Sequence, residues 1–224
     1  MRPLRVWPVI HLHTVAQAVA NARIDQAAGA HGVFLIHMSG DDDMIEPAGR
    51  AISEQCPGLV VGANYLSLSA TQALERSLAA GFAATWSDAP GVHSTGVNES
   101  ARALASRVRQ HPGHEFFASV AFKYQEPDPD PGKAASAALS LDMIPTTSGP
   151  ATGQAPAIEK LQAIRASIGP SAALALASGV TPENVAQLVP CLSDILVATG
   201  ISADFHTFDP ARLSRLMAAC GLRA

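Results

Sequence analysis

Eight times along the chain a short run of β-favouring residues gives way to an Ala-rich helical stretch that Gly or Pro then closes. The runs are PVIHLH (8–13), GVFLIHM (32–38), LVVGANY (59–65), FAATW (82–86), FFASVAF (116–122), LDMIPTT (141–147), AALALA (172–177) and DILVA (194–198). Helical patterns follow them over 14–28, 44–55, 69–80, 99–110, 133–140, 156–168, from 181 onward, and 209–219. Ser69 is placed to cap the third helix, and Thr181-Pro182-Glu183 opens the seventh with a capping hydroxyl and a proline at the first position. Strict strand-then-helix alternation predicts a parallel sheet with its helices outside. Eight such units predict closure into one α/β barrel over 1–224, the (β/α)8 or TIM barrel. No GxGxxG follows the first run, which argues against an open doubly wound sheet.

The composition fits this reading and narrows the function. With 48% hydrophobic residues the chain can fill a sizeable core. A net charge of −4 and the lack of any Lys/Arg-rich tract argue against a nucleic-acid surface. Three widely spaced cysteines, Cys56, Cys191 and Cys220, match neither a disulfide framework nor a zinc knuckle. The opening MRPLRVWPVIHLHT is interrupted by histidines and reads as a first strand, not a signal peptide. No apolar stretch has membrane length. A cytoplasmic protein without membrane insertion is expected, with assembly into identical copies left open.

In such a barrel, functional groups gather where strands end at the C-terminal face. Here those ends carry His11, His13, His37, Asn64, Trp86, Asp88, Lys123, Thr147, Ser148, Ser178 and Thr199. His11 and His13 are two apart and would share the inner face, leaving Ile10 and Leu12 for the helical layer. With His37 they could form a metal set, but later strands add no further histidine, so no metal is expected. Lys123 closes an apolar run, where an ammonium would bind a phosphate or carboxylate, or act as a base. The run Asp41-Asp42-Asp43 reads as a solvated face.

Two Gly-containing turns follow the last two strands, Ser178-Gly179 and Thr199-Gly200. Loops after strands seven and eight of a barrel commonly cradle phosphate with backbone N–H groups. Gly179 would let the backbone approach a ligand closely. The Thr/Ser/Gly-rich segment 146–153 adds hydroxyls suited to an anion.

The chain resembles the BtpA/SgcQ family of TIM-barrel proteins, in collinear order. VVGANYLSLSATQAL is similar to that family's "VGVNVLRNDAxAAL" and places Asn64; SVAFKYQEPD resembles "VxVKHAxPL" and places Lys123. TTSGPATGQAP is similar to "VTGxATGxxP", SGVTPENV is close to identical with the family motif, and VATGIS resembles "VGTSLK". The family's "PLPGSP" loop after strand one is missing. His37-Met38-Ser39 stands where a Glu-Asn is usual, and Ala84-Thr85-Trp86 where strand four usually carries an arginine. The resemblance therefore implies a shortened, divergent member. Members are associated with photosystem I biogenesis, with enediyne antibiotic clusters and with phosphoribosyltransferase-like labels, so the resemblance implies the fold and a phosphate site more than a reaction.

The sequence thus leads to a barrel that binds a small phosphorylated metabolite, such as a sugar or ribose phosphate, without a cofactor. The phosphate would sit on Ser178, Gly179, Thr199 and Gly200. Lys123 and His11 would face the reacting end, and Asn64, Thr147, Ser148 and His37 would orient the substrate. Isomerase, lyase and phosphoribosyl-transfer chemistries stay open. The alternatives are a non-catalytic assembly factor and a metal-dependent hydrolase built on His11, His13 and His37.

Overall fold

The computed structural model describes residues 3–222. Eight parallel strands alternate with eight helices. The first half runs β1 (Arg5–His11), α1 (Val15–Ala27), β2 (Gly32–Ile36), α2 (Ile45–Gln55), β3 (Val60–Asn64), α3 (Ala70–Ala79), β4 (Ala84–Ser87) and α4 (Glu99–Gln110). The second half runs β5 (Glu115–Ser119), α5 (Pro131–Ser140), β6 (Ile144–Thr147), α6 (Ile158–Ile168), β7 (Ala175–Ala177), α7 (Val185–Leu188), β8 (Asp194–Val197) and α8 (Pro210–Ala219). Each strand pairs with the next, and β1 pairs with both β2 and β8, which closes the barrel. Among the described residues no helix is long and apolar enough to cross a membrane.

Alternation along each strand divides the core in two. Trp7, Val9, Phe34, Ile36, Trp86, Phe117 and Leu196 fill the barrel interior, while Ile10, Leu12, Val33, Leu35, Val61 and Phe116 pack against the helices. The interior aromatics meet edge to face, Phe34 with Phe117 at 5.1 Å and Trp7 with Phe117 at 5.6 Å. The register sets His11 beside Ile36, Ile36 beside Asn64, and Asn64 beside Trp86, so these form one layer at the C-terminal end.

Several elements differ from the sequence expectation, each for a local reason. The first strand covers Arg5–His11, not 8–13. Thr14 caps α1 by accepting the Gln17 N–H at 3.0 Å, so the chain has left the sheet before His13. The fifth strand ends at Ser119, not 122, because Ala121 (φ 45°) and Tyr124 (φ 64°) turn the chain. Thr181 does not cap α7. Asn184 closes the turn instead, accepting the Thr181 N–H at 2.9 Å and donating to the Gly179 carbonyl at 2.7 Å, and the helix starts only at Val185. The capping at Ser69 is present, reciprocated by Gln72. A small antiparallel hairpin, Val92–His93 with Gly96–Val97, was not expected. The acidic run is not simply solvated: Asp42 is buried and accepts the Ser67 N–H at 3.0 Å, and Asp43 pairs with Arg76 at 2.8 Å.

Candidate active site at the barrel mouth

A cavity of about 300 Å³ opens at the C-terminal end of the strands. Its floor is the last inward layer of the barrel: Val9, Ile36, Trp86, Ala177 and Leu196. Four titratable groups line it, His11 at the end of β1, Asp88 just past β4, and Lys123 and Tyr124 in the loop after β5.

Lys123 reaches the cavity from a loop that is tightly held. Its N–H donates to Ser148 Oγ at 2.7 Å, and Gln125 Nε2 donates to the Asp88 carbonyl at 2.6 Å, tying this loop to the end of β4. The ammonium donates to Ser178 Oγ at 2.8 Å and Thr152 Oγ1 at 3.2 Å. Burial lowers its pKa from the usual lysine range, opposed by the attraction of Asp88 and Tyr124.

Asp88 Oδ1 accepts the Asn64 amide at 3.3 Å and lies 3.5 Å from Ser119 Oγ, which itself accepts the Trp86 indole N–H at 2.9 Å. Burial raises the Asp88 carboxyl above the ordinary carboxylate range, opposed by Asn64, Lys123 and Ser119. Asn64 Oδ1 is buried without a hydrogen-bond partner.

His11 stands 3.2 Å through Nδ1 from the Phe205 carbonyl. A carbonyl only accepts, so Nδ1 carries the proton and Nε2 keeps its lone pair in the neutral ring. Burial lowers the His11 pKa, opposed by the Phe205 carbonyl and reinforced by His206 and Lys123. The 202–208 loop that supplies Phe205 is anchored on α1, where Gln17 and Asn21 donate to the His206 carbonyl at 2.5 and 2.7 Å.

The two late turns form the opposite wall. Ser178 (φ 100°) and Gly179 (φ 71°) both lie in the left-handed region, an unfavourable conformation for the serine that sets its hydroxyl against Lys123. A Cβ on Gly179 would fall 2.0 Å from the Ala155 nitrogen, so the glycine is required by the packed 154–155 backbone and not by the approach of a ligand. Thr199 and Gly200 begin a 3-10 turn, Thr199–Ile201. Among the described residues the amides of Gly179, Thr199 and Gly200 make no hydrogen bond within the chain.

The remaining expected site residues lie elsewhere. Thr147 and Ser148 are fully buried; Thr147 donates to the Ala121 carbonyl at 3.2 Å and Ser148 to the Gly149 carbonyl at 2.8 Å, and neither lines the cavity. His37 lies outside it, accepting the Asp41 N–H through Nδ1 at 3.1 Å. His13 is exposed beside the His206 ring at 4.9 Å. His11, His13 and His37 therefore do not converge as a metal-hydrolase set. No group of three His, Cys, Asp or Glu side chains among the described residues could hold a metal ion. Asp88 belongs to the site although only its place after the fourth run signalled it, and Phe205 had no signal in the sequence at all.

Neither the models of known protein families nor curated protein sequences match the chain. Solved structures do. A phosphoribosyl anthranilate isomerase from Thermus thermophilus superposes with a TM-score of 0.71 and 17% identity over 97% of this chain and 98% of its own. A 3-hexulose-6-phosphate synthase gives 0.71 and 16% over 96% and 99%. A thiamine phosphate pyrophosphorylase from Pyrococcus furiosus gives 0.66 and 12% over 97% and 96%. At these identities the likeness establishes the TIM-barrel fold alone. The resemblance to the BtpA/SgcQ family rests on the sequence motifs.

Proposed function

We propose that the chain is an enzyme that binds a small phosphorylated metabolite at the barrel mouth and moves a proton on it, in an isomerase- or lyase-type reaction. One observation carries the reading: His11, Asp88 and Lys123 surround a single cavity, and each is displaced from its ordinary pKa. Such displacement is characteristic of groups tuned for proton transfer. His11 Nε2 is the base, Lys123 stabilises the negative charge that develops, and Asp88 keeps the ammonium charged. The phosphate is held by the Gly179, Thr199 and Gly200 amides with Ser178 Oγ, beside the same ammonium. The solved structures named above include proteins whose names carry a phosphorylated compound, which agrees with this class of ligand.

A crystal grown or soaked with sulfate or phosphate tests the binding half. The anion is expected within about 3.2 Å of the Gly179, Thr199 and Gly200 nitrogens. An anion found repeatedly elsewhere, with these amides left empty, refutes the assignment.

A further inference from the structure

Four large apolar side chains are exposed among the described residues: Met38, Leu66, Tyr124 and Phe205. They come from four separate loops, after β2, β3, β5 and β8. All four line the mouth cavity. Scattered single apolar residues on a surface need no explanation, but convergence of every one of them on one rim does.

The polar groups at the mouth are unevenly placed. Lys123, Ser178, Thr199 and Gly200 stand on the β5, β7 and β8 side, and His11 and Asp88 stand at the ends of β1 and β4, whereas Met38 and Leu66 overhang the β2 and β3 side between them. The floor beneath them is apolar, with Trp86 and Phe122 in edge contact at 6.0 Å. The Trp86 indole N–H is already bonded to Ser119, so it offers no donor to a ligand. A sugar phosphate carries hydroxyls around its whole perimeter. Pressed against Met38, Leu66 and this floor, those hydroxyls would lose water and gain no partner there, which disfavours binding. A flat apolar ring would instead bury the rim and floor together, and aromatic faces favour stacked or edge contacts with Phe205, Trp86 and Phe122.

We propose that the phosphorylated ligand carries an aromatic or comparably flat apolar group, which lies under Met38, Leu66 and Phe205 while its phosphate lies on the β7 and β8 turns. This rests on the phosphate site proposed above and narrows its substrate class. Phe205 has two functions on this reading: its carbonyl orients His11, and its ring, 4.5 Å from the His11 ring, covers the apolar group.

Calorimetric titration with four probes tests it: phenyl phosphate, ribose 5-phosphate, inorganic phosphate and phenol. Phenyl phosphate is expected to bind at least about tenfold more tightly than each of the other three, a difference of about 1.4 kcal/mol. Leu66→Ser and Phe205→Ala, both at exposed side chains, are expected to weaken phenyl phosphate at least about threefold while leaving inorganic phosphate unchanged. Ribose 5-phosphate binding as tightly as phenyl phosphate, with inorganic phosphate competing, would overturn the apolar assignment and leave the phosphate site standing. Phenol binding as tightly as phenyl phosphate, with inorganic phosphate silent, would remove the phosphate site, and with it the proposal. Phenyl phosphate affinity unaltered in both variants would overturn the rim's role.

Discussion

At the N-terminal end of the barrel Arg5 lies 2.7 Å from both Glu115 and Asp194, and the Trp7 indole donates to the same Asp194 at 3.0 Å. At the C-terminal end, among the described residues, the Lys123 ammonium bonds only to the hydroxyls of Ser178 and Thr152, and the Asp88 carboxylate only to neutral groups. The pKa directions follow. Burial works against the charge on Arg5, but the bonds and attraction of Glu115 and Asp194 outweigh it and raise its pKa. At the mouth burial prevails, lowering Lys123 and raising Asp88. The closed end, built from inward residues at the strand starts, pairs its charges internally, whereas the mouth carries Lys123 and Asp88 on segments just past the strand ends and bonds them to neutral groups. Stability should therefore reside at the closed end and binding at the open one.

The comparison is broken most severely by Asp194→Ala. Asp194 is fully buried, and its loss removes an Arg5 partner and the Trp7 acceptor together. A charge left buried with incomplete pairing costs about 3 kcal/mol. The urea midpoint should fall accordingly, while ligand affinity in the surviving folded protein stays within about twofold of the parent. A mouth that loses its ligand in step with stability would show that the two ends are not separable.

Lys123→Met makes the converse test. It keeps most of the apolar stem and removes the ammonium, so the unfolding midpoint should scarcely move. Phosphate-ester affinity or turnover should fall at least about tenfold, equivalent to about 1.4 kcal/mol. Unchanged binding in the folded variant would remove Lys123 from the site.

The closed barrel was legible because a two-residue period and the β–α alternation repeat eight times, so errors of two or three residues at strand ends do not change the topology. At the site those same errors matter. His11 remained at the strand end, but His13 left the inner face once Thr14 capped the helix, and the three-histidine grouping dissolved with it. Lys123 lines the mouth although it stands in a loop four residues past its strand, held there by Ser148 and Gln125. Thr147 and Ser148 fall at a strand end as expected, but their hydroxyls are engaged with neighbouring loops. Phe205 was hidden because it lies eight residues past β8, and only the anchoring of its loop to Gln17 and Asn21 brings it over the mouth.

The smallest expected effect probes how the mouth keeps its charges unpaired. Asp88 is the carboxylate whose attraction partly restores the Lys123 pKa that burial lowers; Tyr124 also raises it, and His11 lies on the opposite side of the cavity. Asp88→Asn preserves the carbonyl that accepts from Gln125 and a side-chain oxygen for Asn64, so the geometry should persist. Losing the negative charge should lower the Lys123 pKa further. The ammonium then deprotonates at a lower pH, and anion affinity, which needs the charged form, should fall off earlier as pH rises. The chain has three lysines, Lys123, Lys133 and Lys160, so NMR of the 13C-methylated protein can follow each one. The Lys123 resonance is identified by its absence in Lys123→Met. In the parent it should titrate below the ordinary lysine value, and in Asp88→Asn lower still. A Lys123 titration identical in the two proteins would mean that Asp88 does not act on the ammonium across the cavity, and the assignment of the pair to one site would fail.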